Sequence, residues 1–206
     1  MPSVHDSYPL VEARSRAAWR SWLQKHHATT KGIWLVFHKK ASSVPSVSYV
    51  EAVEEALCFG WIDSRLGALD ALRYQQVFTP RKPQSEWSAL NKKRIAELEA
   101  RGLLRPAGRQ AIAVAQANGS WSKIDEVEVG AVPEELRHAL AASPMAKKRF
   151  EEFSPSTRKY ILHWINNVKT PVKRSERIRI SVQLARRGLK ANDPRHRARL
   201  LKGSAS

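Results

Sequence analysis

Apolar and polar positions change period several times along this chain, and each change marks an element. From Leu10 to His26 the apolar residues Trp19, Trp22 and Leu23 fall on one side of a helix. Ile33-Trp34-Leu35-Val36-Phe37-His38 is an unbroken run of strand length, rich in β-branched and aromatic residues. Ser48 followed by Glu51 reads as a capping box. It opens a helix that carries Val50, Val53, Leu57 and Phe59 and stops at Gly60. Trp61–Leu66 and Leu72–Thr79 alternate as strands, and the segment between them is short enough for an antiparallel hairpin. Pro80 and Pro83 interrupt regular structure around Arg81 and Lys82. Ser85 is placed to cap a helix that ends at Gly102, with Trp87, Leu90, Ile95 and Leu98 near one stripe. A shorter helix runs from Pro106 to about Asn118.

Beyond Pro133 the signals are helical. Val132-Pro133, Ser143-Pro144 and Ser154-Pro155 each put proline where a first helical residue belongs, and the latter two add a serine cap. Tyr160, Ile161, Trp164, Ile165 and Val168 form a helical stripe; Pro171 breaks it, and the next helix ends at Gly188. From Leu189 onward there is little to bury, which predicts a disordered basic tail that the fold does not need. The pattern as a whole predicts an α+β fold. A small antiparallel sheet packed by helices occupies residues 1–125, an all-helical C-terminal part over 126–188 packs on it, and the tail covers 189–206.

At 42% apolar residues the chain has enough to bury a core. It contains no run of about 18 apolar residues, so no membrane span is expected. No apolar stretch precedes the first charges of MPSVHDSYPLVEARSRAAW, so no secretory signal is expected either. The lone Cys58 excludes an intramolecular disulfide and a multi-cysteine metal centre. A soluble, cytoplasmic protein is the expectation. The net charge of +17 adds a second theme. Lys169–Lys202 holds twelve Lys and Arg residues against only Glu176 and Asp193. Such a concentration can hold polyanions by releasing their counterions. Nucleic acid is therefore one candidate partner, through Lys173, Arg174, Arg177, Arg186, Arg187, Arg195, Arg197 and Arg199. The plainer reading is a solvated helix face and tail.

Strand alternation places Trp61, Asp63 and Arg65 on one face, with Arg73 from the second strand beside them. Ile62, Leu66, Tyr74 and Phe78 are left to meet the helices. Tryptophan supplies a stacking plane, and arginine a fork for carboxylate or phosphate. The flanking prolines hold Arg81 and Lys82 rigidly, and Asn91 lies one turn beyond Trp87. Trp61, Asp63, Arg65, Arg73, Arg81, Lys82, Trp87 and Asn91 thus form a candidate site for a small anionic or aromatic ligand. The plainer alternative has the charged residues as cross-strand ion pairs on a half-wet sheet and the two tryptophans as core. Catalysis has weaker support. Cys58 sits in an apolar helix end, and the histidines show no nucleophile–base or metal spacing. G-x-G-x-x-G, P-loop, G-x-S-x-G and H-E-x-x-H motifs are absent from the sequence. No cofactor and no metal are expected, and the remaining catalytic alternative uses Asp63 as acid/base.

Several motifs in order also carry a resemblance. They are Val47-Ser48-Tyr49, Glu54-Glu55-Ala56-Leu57-Cys58-Phe59-Gly60-Trp61-Ile62-Asp63-Ser64, Phe78-Thr79-Pro80-Arg81-Lys82-Pro83, Ser85-x-Trp87-Ser88, Asn91-Lys92, Gly102-Leu103-Leu104-x-Pro106-Ala107-Gly108 and Asn118-Gly119-Ser120-Trp121. Together they resemble the YdeI/OmpD-associated family, the bacteriocin-protection proteins, over roughly Gly32 to Gly188. The resemblance implies a role in resistance to antimicrobial peptides and in envelope stress, in a family described as periplasmic. It brings no catalytic residue with it.

Overall fold

The computed structural model describes residues 7–202; His5 and the last four residues of the expected tail lie outside them, as does the side chain of Arg199. Ser15 decides where the first helix begins. Its Oγ accepts a hydrogen bond from the Ala18 N–H at 3.1 Å, so helix α1 runs over Arg16–His26. Leu10–Glu12, expected to be the start of that helix, is instead strand β1. It pairs in parallel with β2, Ile33–His38. Helix α2, Tyr49–Cys58, has the expected capping box: Ser48 Oγ accepts from the Glu51 N–H, and the Ser48 N–H donates to Glu51 Oε2 at 3.0 Å. The hairpin strands are β3, Trp61–Ala68, and β4, Arg73–Pro80. Strand order is β1-β2-β4-β3, so the sheet is mixed at one edge and antiparallel elsewhere.

The alternation expected along β3 fails at one place. Trp61 pairs with Pro80 and Asp63 with Phe78, but Leu66 then pairs with Gln76. One extra residue is accommodated at Ser64-Arg65, a β-bulge that swaps faces beyond it. Asp63 therefore shares the face of Phe78, Ile33 and Phe37, the face covered by α1 and α2. Arg65 lies on the other face, its guanidinium 5.9 Å from the ring of Trp34. Arg73 also faces away from Asp63, since it pairs with His38 rather than with the Phe37–Tyr74 row. The expected cluster of Trp61, Asp63, Arg65 and Arg73 on one face is thus corrected: Trp61 and Asp63 are on one side, Arg65 and Arg73 on the other.

Helices α3, Ala89–Ala100, and α4, Pro106–Ala117, complete the first of two compact units, Met1–Lys123. The cap of α3 is Ser88, not Ser85: Ser88 Oγ accepts from the Asn91 N–H at 3.3 Å. Leu90, expected in the buried stripe, is consequently exposed. The core of this unit is built on Trp19, Leu23, Leu35, Phe37, Leu57, Trp61, Phe78, Trp87 and Leu98.

The second unit, Ile124–Ser206, is helical over its described residues. Helices α5 (Asp125–Glu128), α6 (Glu134–Ala141), α7 (Pro144–Glu152), α8 (Pro155–Asn166), α9 (Pro171–Ala185) and α10 (Pro194–Lys202) surround Leu136, Phe150, Ile161, Ile165 and Leu184. The region from Leu189, expected to be a disordered tail, holds α10, and Ala191 and Leu200 are buried in this core. Two apolar residues in the right places suffice to dock a helix that is otherwise basic. Among the described residues no helix is long and apolar enough to cross a membrane.

Candidate functional site

The loop after β4 is folded by its own hydrogen bonds. Lys82 N–H donates to Ser85 Oγ at 3.1 Å, and Ser85 N–H donates to Lys82 O at 2.9 Å, closing a turn around Pro83. The far side of the loop is pinned from the end of α4. Pro83 O accepts from Asn118 Nδ2 at 2.8 Å and from Ser120 Oγ at 3.1 Å. The Asn118–Trp121 motif is thereby explained, since Trp121 also lies 5.0 Å from Trp87, ring to ring. Gly60 sets the near side. It takes φ +73°, and a Cβ there would come within 2.9 Å of Ala107 O. Its carbonyl accepts from the Arg81 N–H at 2.9 Å, which fixes Arg81 next to α4.

A cleft of about 290 Å³ opens between this loop and α4. Gly60, Arg81, Lys82 and Trp87 form one wall, and Ala107, Ala111 and Val114 the other, with Gln110 beside them. The Arg81 guanidinium lies 3.5 Å from the centre of the Trp87 ring. Its Nη1 donates to Glu86 O at 3.1 Å, but the buried Nε and Nη2 have no hydrogen-bond partner among the described residues. Burial holds the Arg81 guanidinium down at about 10, and the nearby Asp63 carboxylate opposes that shift without cancelling it. Asp63 itself accepts from Tyr49 Oη at 2.9 Å and from Gln76 Nε2 at 2.6 Å. Burial first, and the Asp63 charge second, push the Tyr49 phenol up to about 12.

Of the residues expected in the site, Arg81, Lys82 and Trp87 line the cleft, and Asp63 acts on Arg81 electrostatically. Trp61 is core, with its Nε1–H on His27 O at 3.2 Å. Arg73 sits at the far end of the hairpin, on Asp70 at 2.8 Å and Glu12 at 3.1 Å. Asn91 accepts from Arg94. In the second unit, Arg177 and Arg197 each lie 4.8 Å from the ring of Trp164 and donate to backbone carbonyls. Arg174 pairs with Glu135 and Arg195 with Asp193, whereas Lys173, Arg186 and Arg187 are exposed. Sequence reasoning missed a buried charge cluster. Glu55, only 2% exposed, accepts from Arg16 Nε at 2.6 Å and from Arg20 Nη1 at 2.5 Å. Its trace in the sequence is an acid at an inward position of α2, one turn before Cys58.

Residues 130–188 match the family described as bacteriocin-protection, YdeI or OmpD-associated. That segment is similar to the domain of that family, and it spans less than half of the chain. The resemblance is therefore borne out, but on α6 to α9. The motifs that suggested it lie elsewhere: most fall in residues 11–111, which match a domain of unknown function (DUF8412), and Asn118–Trp121 falls in neither match. No curated protein and no solved structure matches the chain. The similarity to bacteriocin-protection proteins thus lies in the second unit, and the Arg81 cleft belongs to the unit matched by the domain of unknown function.

Proposed function

We propose that the protein serves a protective role of the bacteriocin-protection kind by binding a small anionic or aromatic ligand in the cleft between the Arg81–Pro83 loop and α4. One observation carries the reading: Arg81 lines the cleft, and its guanidinium edge, Nε and Nη2, is buried without an acceptor among the described residues. That edge matches the two oxygens of a carboxylate or phosphate. Leaving a buried cation undersatisfied is costly, which favours a site over a purely structural role. Trp87 stacks on the guanidinium and holds it flat, while Ala107, Ala111 and Val114 offer an apolar wall for the remainder of a ligand. Cytoplasmic placement is part of the same proposal, in keeping with a single buried thiol at Cys58.

The test is a thermal-shift screen of the purified protein against benzoate and inorganic phosphate, paired with bacteriocin challenge of cells carrying wild type or Arg81→Gln. Stabilisation of the wild type by one of the anions, absent from the variant, and loss of protection in the variant are expected. Equal protection by both proteins would overturn the reading.

A further inference from the structure

We propose that Ser42 is a nucleophile activated by His38, and that the clefts beside it take small activated acyl esters and transfer the acyl group to water. The site is separate from the Arg81 cleft and stands or falls independently of it. It lies where β2 ends. Glu12 on β1 pairs with Val36, so it is the diagonal neighbour of His38 on the same sheet face. His38 Nε2 is buried without a hydrogen-bond partner among the described residues, 3.9 Å from Glu12 Oε2. The other Glu12 oxygen accepts from Arg73 Nη1 at 3.1 Å, and Arg73 Nε is held by Asp70 at 2.8 Å. The carboxylate is thereby fixed toward the imidazole.

The other ring nitrogen meets a hydroxyl. The Ser42 N–H donates to Lys39 O at 2.8 Å, and this turn brings Ser42 Oγ to 3.2 Å from His38 Nδ1. The proposed chemistry places the ring proton on Nε2, toward the Glu12 carboxylate 3.9 Å away, and uses Nδ1 as acceptor of the Ser42 hydroxyl proton. The Val44 N–H donates to Ser42 Oγ at 3.3 Å and orients the hydroxyl. Two clefts, of about 440 and 540 Å³, both include His38, Ser42 and Val44 in their walls. The larger one is walled by the stacked pair Phe37 and Tyr74, a surface for an acyl chain, and carries Lys40.

In the first step the Ser42 Oγ–acyl carbon bond forms as His38 Nδ1 takes the hydroxyl proton. The bond to the leaving oxygen then breaks, and His38 returns the proton to it. Water, deprotonated in turn by His38, attacks the acyl carbon; the Ser42 Oγ–acyl bond breaks as His38 returns that proton to Oγ, which releases the acid and restores the hydroxyl. Glu12 is a positioning residue that orients the imidazole. A histidine that merely pins the loop would show the same hydrogen bonds but would not raise the reactivity of Ser42, and that difference decides the test.

The full chain is labelled with a fluorophosphonate probe, which forms an Oγ–P bond and loses fluoride, and the adduct is located by peptide mass spectrometry. Turnover is followed with p-nitrophenyl acetate. We expect an adduct on Ser42, nitrophenol release that is lost in Ser42→Ala, labelling at least tenfold slower in His38→Gln, and labelling several-fold slower in Glu12→Gln at an unchanged melting temperature. Absence of an adduct on Ser42, or His38→Gln labelling at the wild-type rate, overturns the proposal. Should His38→Gln fail to fold, Glu12→Gln decides: labelling at the wild-type rate overturns it, and slowed labelling at an unchanged melting temperature supports it.

Discussion

Replacing Glu55 with glutamine tests how the first unit is held together. The Glu55 carboxylate is 2% exposed and bridges Arg16 and Arg20, whose side chains are 28% and 20% exposed. Burial opposes the charge of both arginines, yet the Glu55 carboxylate outweighs it and raises both above the ordinary arginine value. Arg20 Nη2 also donates to Leu103 O at 2.9 Å, so the cluster ties α1, α2 and the segment before α4 together. Glu55→Gln leaves Arg20 facing an amide and Arg16 with Glu54 alone, and breaking such a buried pair costs about 3–5 kcal/mol. For a domain of this size that corresponds to a drop in melting temperature on the order of 10 °C. Arg16 Nη1 also meets Glu54 Oε2 at 2.7 Å, so the combined change Arg16→Met, Arg20→Met, Glu54→Gln, Glu55→Met removes all four charges; it is expected to cost far less than the single change, because no charge is left unpaired. Calorimetric melting of the three proteins is the assay. A loss below about 1 kcal/mol for Glu55→Gln would mean that solvent screens the cluster as it does a surface pair, and would refute the reasoning.

Three further outcomes follow from the packing and the titrations. Asp63→Asn removes a charge that opposes ionisation of Tyr49, so its phenol, held at about 12, moves back toward the ordinary value. The stability that neutral Tyr49 contributes is fully present below pH 10, and the pH window in which it is lost, about 10 to 12, narrows; absorbance titration at high pH reads the shift. Gly108→Ala places a Cβ 2.4 Å from Cys58 O, against backbone that cannot yield cheaply, and is expected to cost about 1–3 kcal/mol in denaturant unfolding. Truncation after Gly188 removes Ala191 and Leu200 from the second core, and a loss of at least about 2 kcal/mol, the scale of one deleted core leucine, is expected in thermal melts.

Much of the local structure was legible because it rests on short-range chemistry. The Ser48–Glu51 capping box, the apolar run of β2, the 61–80 hairpin and the proline-led helix starts each announce themselves within a few residues. What escaped reading depends on partners far away in sequence. Leu10–Glu12 is strand because β2 offers an edge, although nothing within the segment demands it. The bulge at Ser64-Arg65 moved Arg65 to the other face, and Arg73 lies there because Asp63 pairs with Phe78; strict alternation shows neither an inserted residue nor which faces of two strands pair. Arg81, Lys82 and Trp87 were picked out by prolines and by an aromatic next to cations, but their wall on α4 is built from alanines, which carry no signal. Helix α10 was hidden because Ala191 and Leu200 look too sparse to dock a helix until the rest of the core is in place.

The central claim is that Arg81 offers its free edge to a small anion in the cleft. Isothermal titration of benzoate, and separately of inorganic phosphate, into wild type, Arg81→Gln and Arg65→Gln tests it most directly. One binding site per chain for at least one anion is expected in the wild type, weakened about tenfold or more in Arg81→Gln, in line with a lost charge-assisted pair. It should be unchanged in Arg65→Gln, since Arg65 lies on the other sheet face beside Trp34. Equal affinity in Arg81→Gln and wild type, or no heat from either anion with the wild type, would contradict the account.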